Sequence, residues 1–146
     1  MDAEKFFMTV LLVFGLTLLA GCALNAPAGT ASISEQEARE IAEGALAALN
    51  AGDYEAFSAN FSEVMREAMD EDSFRQLRDT LQETSGTYLS LSGPKLVKAS
   101  TPNAVGYVYE CEFEKEEVVM THYYFVGGHQ VEGFFLTSPN LRKISQ

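Results

Sequence analysis

Few residues of this chain have types and spacing that suggest chemistry, and most lie in its C-terminal half. Tyr107, Tyr109, Tyr123, Tyr124, Phe125, Phe134 and Phe135 would line a cavity for an apolar ligand or build an aromatic core. Glu110, Glu112 and Glu114 recur at every second position, which puts three carboxylates on one face of a strand. Such a row could hold a divalent cation; it reads better as a solvated face that discourages sheet edges from associating. Asp70-Glu71-Asp72 opens like a calcium loop, but Arg75 stands where that loop requires glycine, so no metal site is expected. His122 sits between Thr121 and Tyr123, with Met120 and Tyr124 on its own face, and reads as a half-buried imidazole bonded to a tyrosine or to backbone. His129 follows Gly127-Gly128 and reads as an exposed turn residue.

Composition narrows the field. The chain has 146 residues, 47% of them hydrophobic, with 10 Phe, 6 Tyr and a net charge of −11. That apolar content excludes an acidic disordered chain, and the length excludes a multidomain enzyme. The acidic balance argues against nucleic-acid binding, which needs Lys and Arg to displace phosphate counterions. The glycine-rich nucleotide loops, the zinc-protease helix, the paired-cysteine redox motif and the serine nucleophile elbow are all missing, so no cofactor is expected. Charge is uneven: residues 34–83 carry 13 acidic and 4 basic side chains, against 6 and 5 in residues 84–146. The acidic segment would form a solvated outer face repelled by anionic headgroups.

Phe6 to Leu19 is an apolar run broken only by Thr9, Gly15 and Thr17, followed by Leu19-Ala20-Gly21-Cys22. An apolar core ending in small residues is a secretory signal pattern. The last four residues resemble the bacterial lipobox. That resemblance implies cleavage before Cys22 and a diacylglycerol, palmitate-type anchor on its thiol. Residues 1–21 would then be a signal peptide, and 22–32, small and uncharged, the lipidated Cys with a flexible tether. Two or more buried acyl chains hold a protein firmly, at about 0.8 kcal/mol per methylene. The alternative is an uncleaved anchor, Phe6 to Leu24, just within the roughly 17–25 residues that span a bilayer. Both readings place the rest of the chain in the cell envelope, membrane-tethered and outside the cytoplasm. Lipidation would leave Cys111 as the one free thiol.

Residues 33–146 are expected to form one domain. Ser34 and Glu37 make a capping box, and Ala38, Ile41, Ala42, Ala45, Leu46 and Leu49 follow at helical spacing until Gly52. Asp53 caps a short helix carrying Tyr54, Phe57 and Phe61; Ser62 to Met69 extends it, and Asp70 opens another with Phe74, Leu77 and Leu81 inward. After Gly86 the period becomes two. Residues 87–91 and 95–98 are short strands around Ser92-Gly93-Pro94, 104–114 alternates, Lys115-Glu116 turns, 118–126 is apolar on both faces, and Gly127-Gly128 leads into 130–136. Helices first and strands after predict an α+β fold, N-terminal helices on one face of a curved antiparallel sheet of four to five strands.

The turn Asn50-Ala51-Gly52-Asp53-Tyr54, the aromatic pair Phe57 and Phe61, and Gly86 before the first strand resemble the nuclear-transport-factor-2-like (cystatin-like) α+β cone over residues 34–137. More narrowly, the stretch is similar to an uncharacterised branch of bacterial secreted domains and lipoproteins. The superfamily hosts isomerases, dehydratases and binding subunits. The resemblance therefore implies two alternatives: a catalytic cone in which His122 with nearby tyrosines does acid–base work, or a binding module. An acid–base pair needs a positioned partner, and no Asp follows Asp79. The expected function is a membrane-anchored, extracytoplasmic, non-catalytic module for a small apolar ligand or an envelope protein partner, with a structural or dimeric envelope component as a third reading. Residues 118–126 are apolar on both faces and the helices can cover one. The other face, assigned to Tyr123, Phe125, Phe134 and Leu136, is expected to be the ligand or partner surface.

Overall fold

The computed structural model describes residues 33–97, 99 and 103–144. The signal segment 1–21 and the lipidation and tether segment 22–32, with Cys22, lie outside them. Helix α1 spans Glu35–Ala51. The Ser34 hydroxyl accepts from the Glu37 amide at 3.2 Å, and the Glu37 carboxylate accepts from the Ser34 amide at 3.1 Å, so the capping box closes from both sides. Gly52 ends the helix at φ 73°, a left-handed conformation suited to a residue without Cβ. Short helices α2 (Tyr54–Phe57) and α3 (Glu63–Ala68) follow, then α4 (Glu71–Thr84). Asp53, Ser62 and Asp70 cap them through bonds from Ala56, Met65 and Ser73 amides. Phe61 falls outside α2 and bridges Val131 of the sheet instead.

The sheet has four antiparallel strands in the order β1 (Tyr88–Val97), β2 (Val105–Phe113), β3 (Glu116–Val126) and β4 (Gln130–Thr137), and it is not closed. With the helices preceding it, the architecture is α+β. The two short strands expected around Ser92-Gly93-Pro94 are one strand. A register shift between Ser92 and Lys95 absorbs the interruption, which is tolerable because β1 is an edge strand. Helix α1 also guards that edge. Arg39 donates to the Gly93 and Leu91 carbonyls at 3.1 and 3.0 Å, and Asn50 exchanges two bonds with the Tyr88 backbone at 2.8 and 3.0 Å. The β2–β3 turn is Glu114-Lys115, one residue earlier than expected, and Glu114 caps the Thr87 amide at 2.9 Å. The β3–β4 turn has three residues, Gly127-Gly128-His129, because Val126 pairs with Gln130. A final helix, α5 (Pro139–Ile144), is tied back by the Glu116 carboxylate, which accepts from the Asn140 amide at 2.9 Å and the Ser85 hydroxyl at 2.8 Å.

One core joins helices to sheet. Ala38, Ala42, Leu46 and Leu49 of α1 are buried with Phe57, Phe61, Phe74 and Leu81 against the inner face of the strands. Ile41 and Leu77 pack at its margin, half-buried. Phe57 contacts the rings of Phe61, Phe74 and Phe134, with centroids 5.0, 4.9 and 5.6 Å away.

Candidate functional site

The inner face of the sheet is full. Tyr107, Tyr109, Cys111 and Phe113 of β2 meet Val119, Thr121, Tyr123 and Phe125 of β3, and all eight are buried. Tyr123 and Phe125 are 0% exposed, Phe134 is 8%, and Leu136 packs against the same core. These four residues were expected on the free face; they lie beneath the helices. The physical reason is a bulge. A regular hairpin with Phe113 opposite Glu116 would carry Tyr107 opposite His122. The register shift between Cys111 and Phe113 brings Tyr107 opposite Tyr123 instead. One extra residue exchanges the two faces of β3. Because β3 is apolar on both sides, its own sequence carries no sign of which face wins.

Burial leaves its mark on the inner polar groups. The Tyr109 and Tyr123 hydroxyls have no hydrogen-bond partner among the described residues, and desolvation raises both pKa values, that of Tyr123 well above 10.0. Burial pushes Tyr88 up to about 12 and the Cys111 thiol up to about 11. The Cys111 sulfur contacts the Thr121 hydroxyl at 3.2 Å. Neutral at physiological pH, these groups behave as core.

The opposite parity of β3 forms the outer face. Met120, His122 and Tyr124 remain partly exposed there, beside Val108 of β2 and Phe135 of β4, which is 43% exposed. His122 stacks on Phe135 with ring centroids 4.1 Å apart and planes 12° from parallel. Tyr124 also lies near-parallel to Phe135, with ring centroids 6.1 Å apart and planes 19° from parallel. Two glycines seat Tyr124. A Cβ at Gly106 would stand 2.8 Å from its Cε1 atom, and one at Gly133 would stand 3.3 Å from its Cδ2 atom. The ring therefore lies across bare backbone on both neighbouring strands. His122 Nδ1 is buried, with no hydrogen-bond partner among the described residues, and desolvation lowers its pKa. The expected bond to a tyrosine or to backbone is replaced by ring stacking.

The acidic row is divided. Glu110 pairs with Lys95 at 2.8 Å, Glu112 accepts from the Ser90 hydroxyl at 3.2 Å, and Glu114 has left the strand for the turn. Among the described residues no three His, Cys, Asp or Glu side chains converge as a metal would require.

Two grooves mark the helical side. One, of about 490 Å³, runs between α1 and the α2 turn over Ile41, Ala45, Phe57 and Phe61, with Glu37, Glu40 and the exposed His129 of the β3–β4 turn at its rim. The other, of about 920 Å³, runs along α4 past Tyr54 and Phe74 and mixes Arg66, Arg75 and Arg78 with Asp53, Glu55 and Glu71. Sequence reading missed both. Their walls come from separate elements, α1 with residues 56–61 and His129 for the first and residues 52–58 with α3 and α4 for the second, and the local signal for the first was Gly44 inside a helix. No helix among the described residues is long and apolar enough to cross a membrane.

No curated protein matches this chain. A family model described as "Protein of unknown function (DUF3887)" matches residues 42–134, from within α1 into β4.

Proposed function

The chain belongs to the DUF3887 family, and we propose that it is a lipid-anchored, extracytoplasmic binding module of nuclear-transport-factor-2-like type that engages an envelope protein partner through the outer face of its sheet. One observation carries the reading: the stacked row of Tyr124, Phe135 and His122 lies on the face opposite the helices, with Phe135 43% exposed. Aromatic side chains on rigid strands make strong binding anchors, since little side-chain entropy is lost when they are covered. The lipobox-like Leu19-Ala20-Gly21-Cys22 supports the anchor, and helices on one face of an antiparallel sheet support the placement of the fold. A non-catalytic role is supported by the surroundings of His122. The imidazole is stacked on a phenyl ring, and its buried Nδ1 has no carboxylate or hydroxyl partner among the described residues, whereas a general base is held in place by a partner.

The test is photo-crosslinking in intact cells from probes placed at Tyr124 and Phe135, with a probe at exposed Glu67 of α3 as the control. Adducts from the sheet positions support the reading; adducts from Glu67 alone overturn it. With the captured partner in hand, Tyr124→Ala and Phe135→Ala should weaken binding more than tenfold, and His122→Ala less, within about 1.4 kcal/mol. A substrate whose turnover disappears in folded His122→Ala would establish an enzyme instead. For the anchor, Cys22→Ser should abolish labelling by a fatty-acid probe; undiminished labelling would exclude lipidation at this position.

A further inference from the structure

Gly44 stands in the interior of α1, where glycine is the least favourable residue after proline. A Cβ at this position would meet nothing within 4 Å, so no neighbour within the chain demands its absence. The open space is the groove of about 490 Å³, well within the range of small-molecule sites. Its floor is apolar, formed by Ile41, Phe57 and Phe61, and its rim carries Glu37 and Glu40, with the His129 imidazole 3.9 Å from the Glu37 carboxylate. Glu37 is held ionised by the Ser34 hydrogen bonds. Glu40 accepts from the Gln36 amide at 2.7 Å and has no cationic partner among the described residues. The surrounding segment, residues 34–83, carries a net charge of −9. Apolar surface, acidic rim and bare helix backbone make one set of requirements for an occupant.

We propose that this groove binds a small organic cation with a flat apolar body. The body lies over the Gly44 backbone against Ile41 and Phe57, and the protonated amine sits against Glu40, since the Glu37 carboxylate already faces Ser34 and His129. Glycine at 44 then has a reason: a side chain there would fill the space the ligand occupies. An anion of the same shape is rejected by the charge of the rim. The proposal rests on the reading of the domain as a binding module but uses a different surface from the aromatic row.

The test uses the full chain in non-ionic detergent, titrated with phenethylammonium and, as matched neutral and anionic probes, phenethyl alcohol and hydrocinnamate. Backbone amide shifts of Gly44, Ala45 and Ala59 are followed by NMR. Saturable shifts with the ammonium, at least tenfold weaker with the carboxylate, are expected. Gly44→Leu should abolish them while its far-UV circular dichroism stays unchanged, Glu40→Gln should weaken them several-fold, and Phe135→Ala should leave them as they are. Equal responses to all three probes, no saturable shift, or full binding by Gly44→Leu would overturn the proposal. Should Gly44→Leu lose its helical signal, Glu40→Lys decides, since retained ammonium binding there is equally fatal. Because Phe135→Ala separates the two surfaces, failure of the groove and failure of the sheet-face reading give different results.

Discussion

Truncating Phe125 and truncating Phe135 should have unequal effects, and the inequality tests the bulge that sets the faces of the sheet. The residues are of the same type and lie on neighbouring strands. Phe125 is 0% exposed and sits within 6.3 Å of the rings of both Tyr107 and Tyr123. Removing a buried phenyl ring leaves a cavity that the surroundings close only in part, a loss of about 3–5 kcal/mol. Phe135 is 43% exposed. Little more than half of its apolar surface is withdrawn from water, so the transfer free energy at stake is about 1–2 kcal/mol, and water fills the space left behind. Phe125→Ala should therefore lose roughly 2 kcal/mol more than Phe135→Ala. For a domain whose whole stability is about 5–15 kcal/mol, that separates a marginal protein from a folded one. Urea titration followed by circular dichroism, with equal slopes for the two variants, measures the difference. Equal losses, or a larger loss from Phe135→Ala, would mean that β3 presents the other parity to the helices and that the Cys111–Phe113 register shift is wrong.

Three further outcomes follow from local physics. Gly52→Ala should lose about 1–2 kcal/mol, because a left-handed φ of 73° is unfavourable with a Cβ and the new atom would stand 2.8 Å from Arg78 Nη1; an unchanged urea midpoint would show that the cap is not needed. Alkali should destabilise the fold. Burial raises Cys111 from 9.0 to about 11 and Tyr88 from 10.0 to about 12, so the folded chain holds both protons more tightly than the unfolded one. Their contribution is complete below about pH 9 and is lost as pH climbs through 11 and 12. Cys111→Ala should make the decline shallower, and an unaltered slope would refute the assignment. His122 works in the opposite direction. Desolvation lowers its pKa from 6.5, so stability falls as pH drops below that value, and His122→Phe should remove this acid limb from the pH profile of the urea midpoint.

What the sequence determined by itself is whatever depends on neighbours a few residues apart. Ser34 and Glu37 announce the start of α1, Gly52 its end, and Asp53 and Asp70 two later starts, because a cap bonds to amides two or three positions away; residues 62–69, expected to extend the helix before them, form a separate helix capped by Ser62. The alternation of Tyr107, Tyr109 and Cys111 with Glu110 and Glu112 likewise fixed which side of β2 is buried. Helices before strands then predicted the α+β architecture that the chain adopts. The tertiary structure alone decided the rest. The face of β3 depends on a single bulged residue, and a strand apolar on both sides gives no local penalty for either choice. For that reason Tyr123, Phe125 and Phe134 exchanged places with His122, Tyr124 and Phe135. The merging of two short strands into β1 rests on a register shift against β2, and the edge is bonded by Arg39 and Asn50 of α1, contacts about 40–50 residues apart in sequence. The groove over Gly44 is formed by the approach of α1 to the segment from Ala56 to Phe61. No spacing along the chain encodes that distance; it is set by how Leu46, Phe57 and Phe134 fill the core between them.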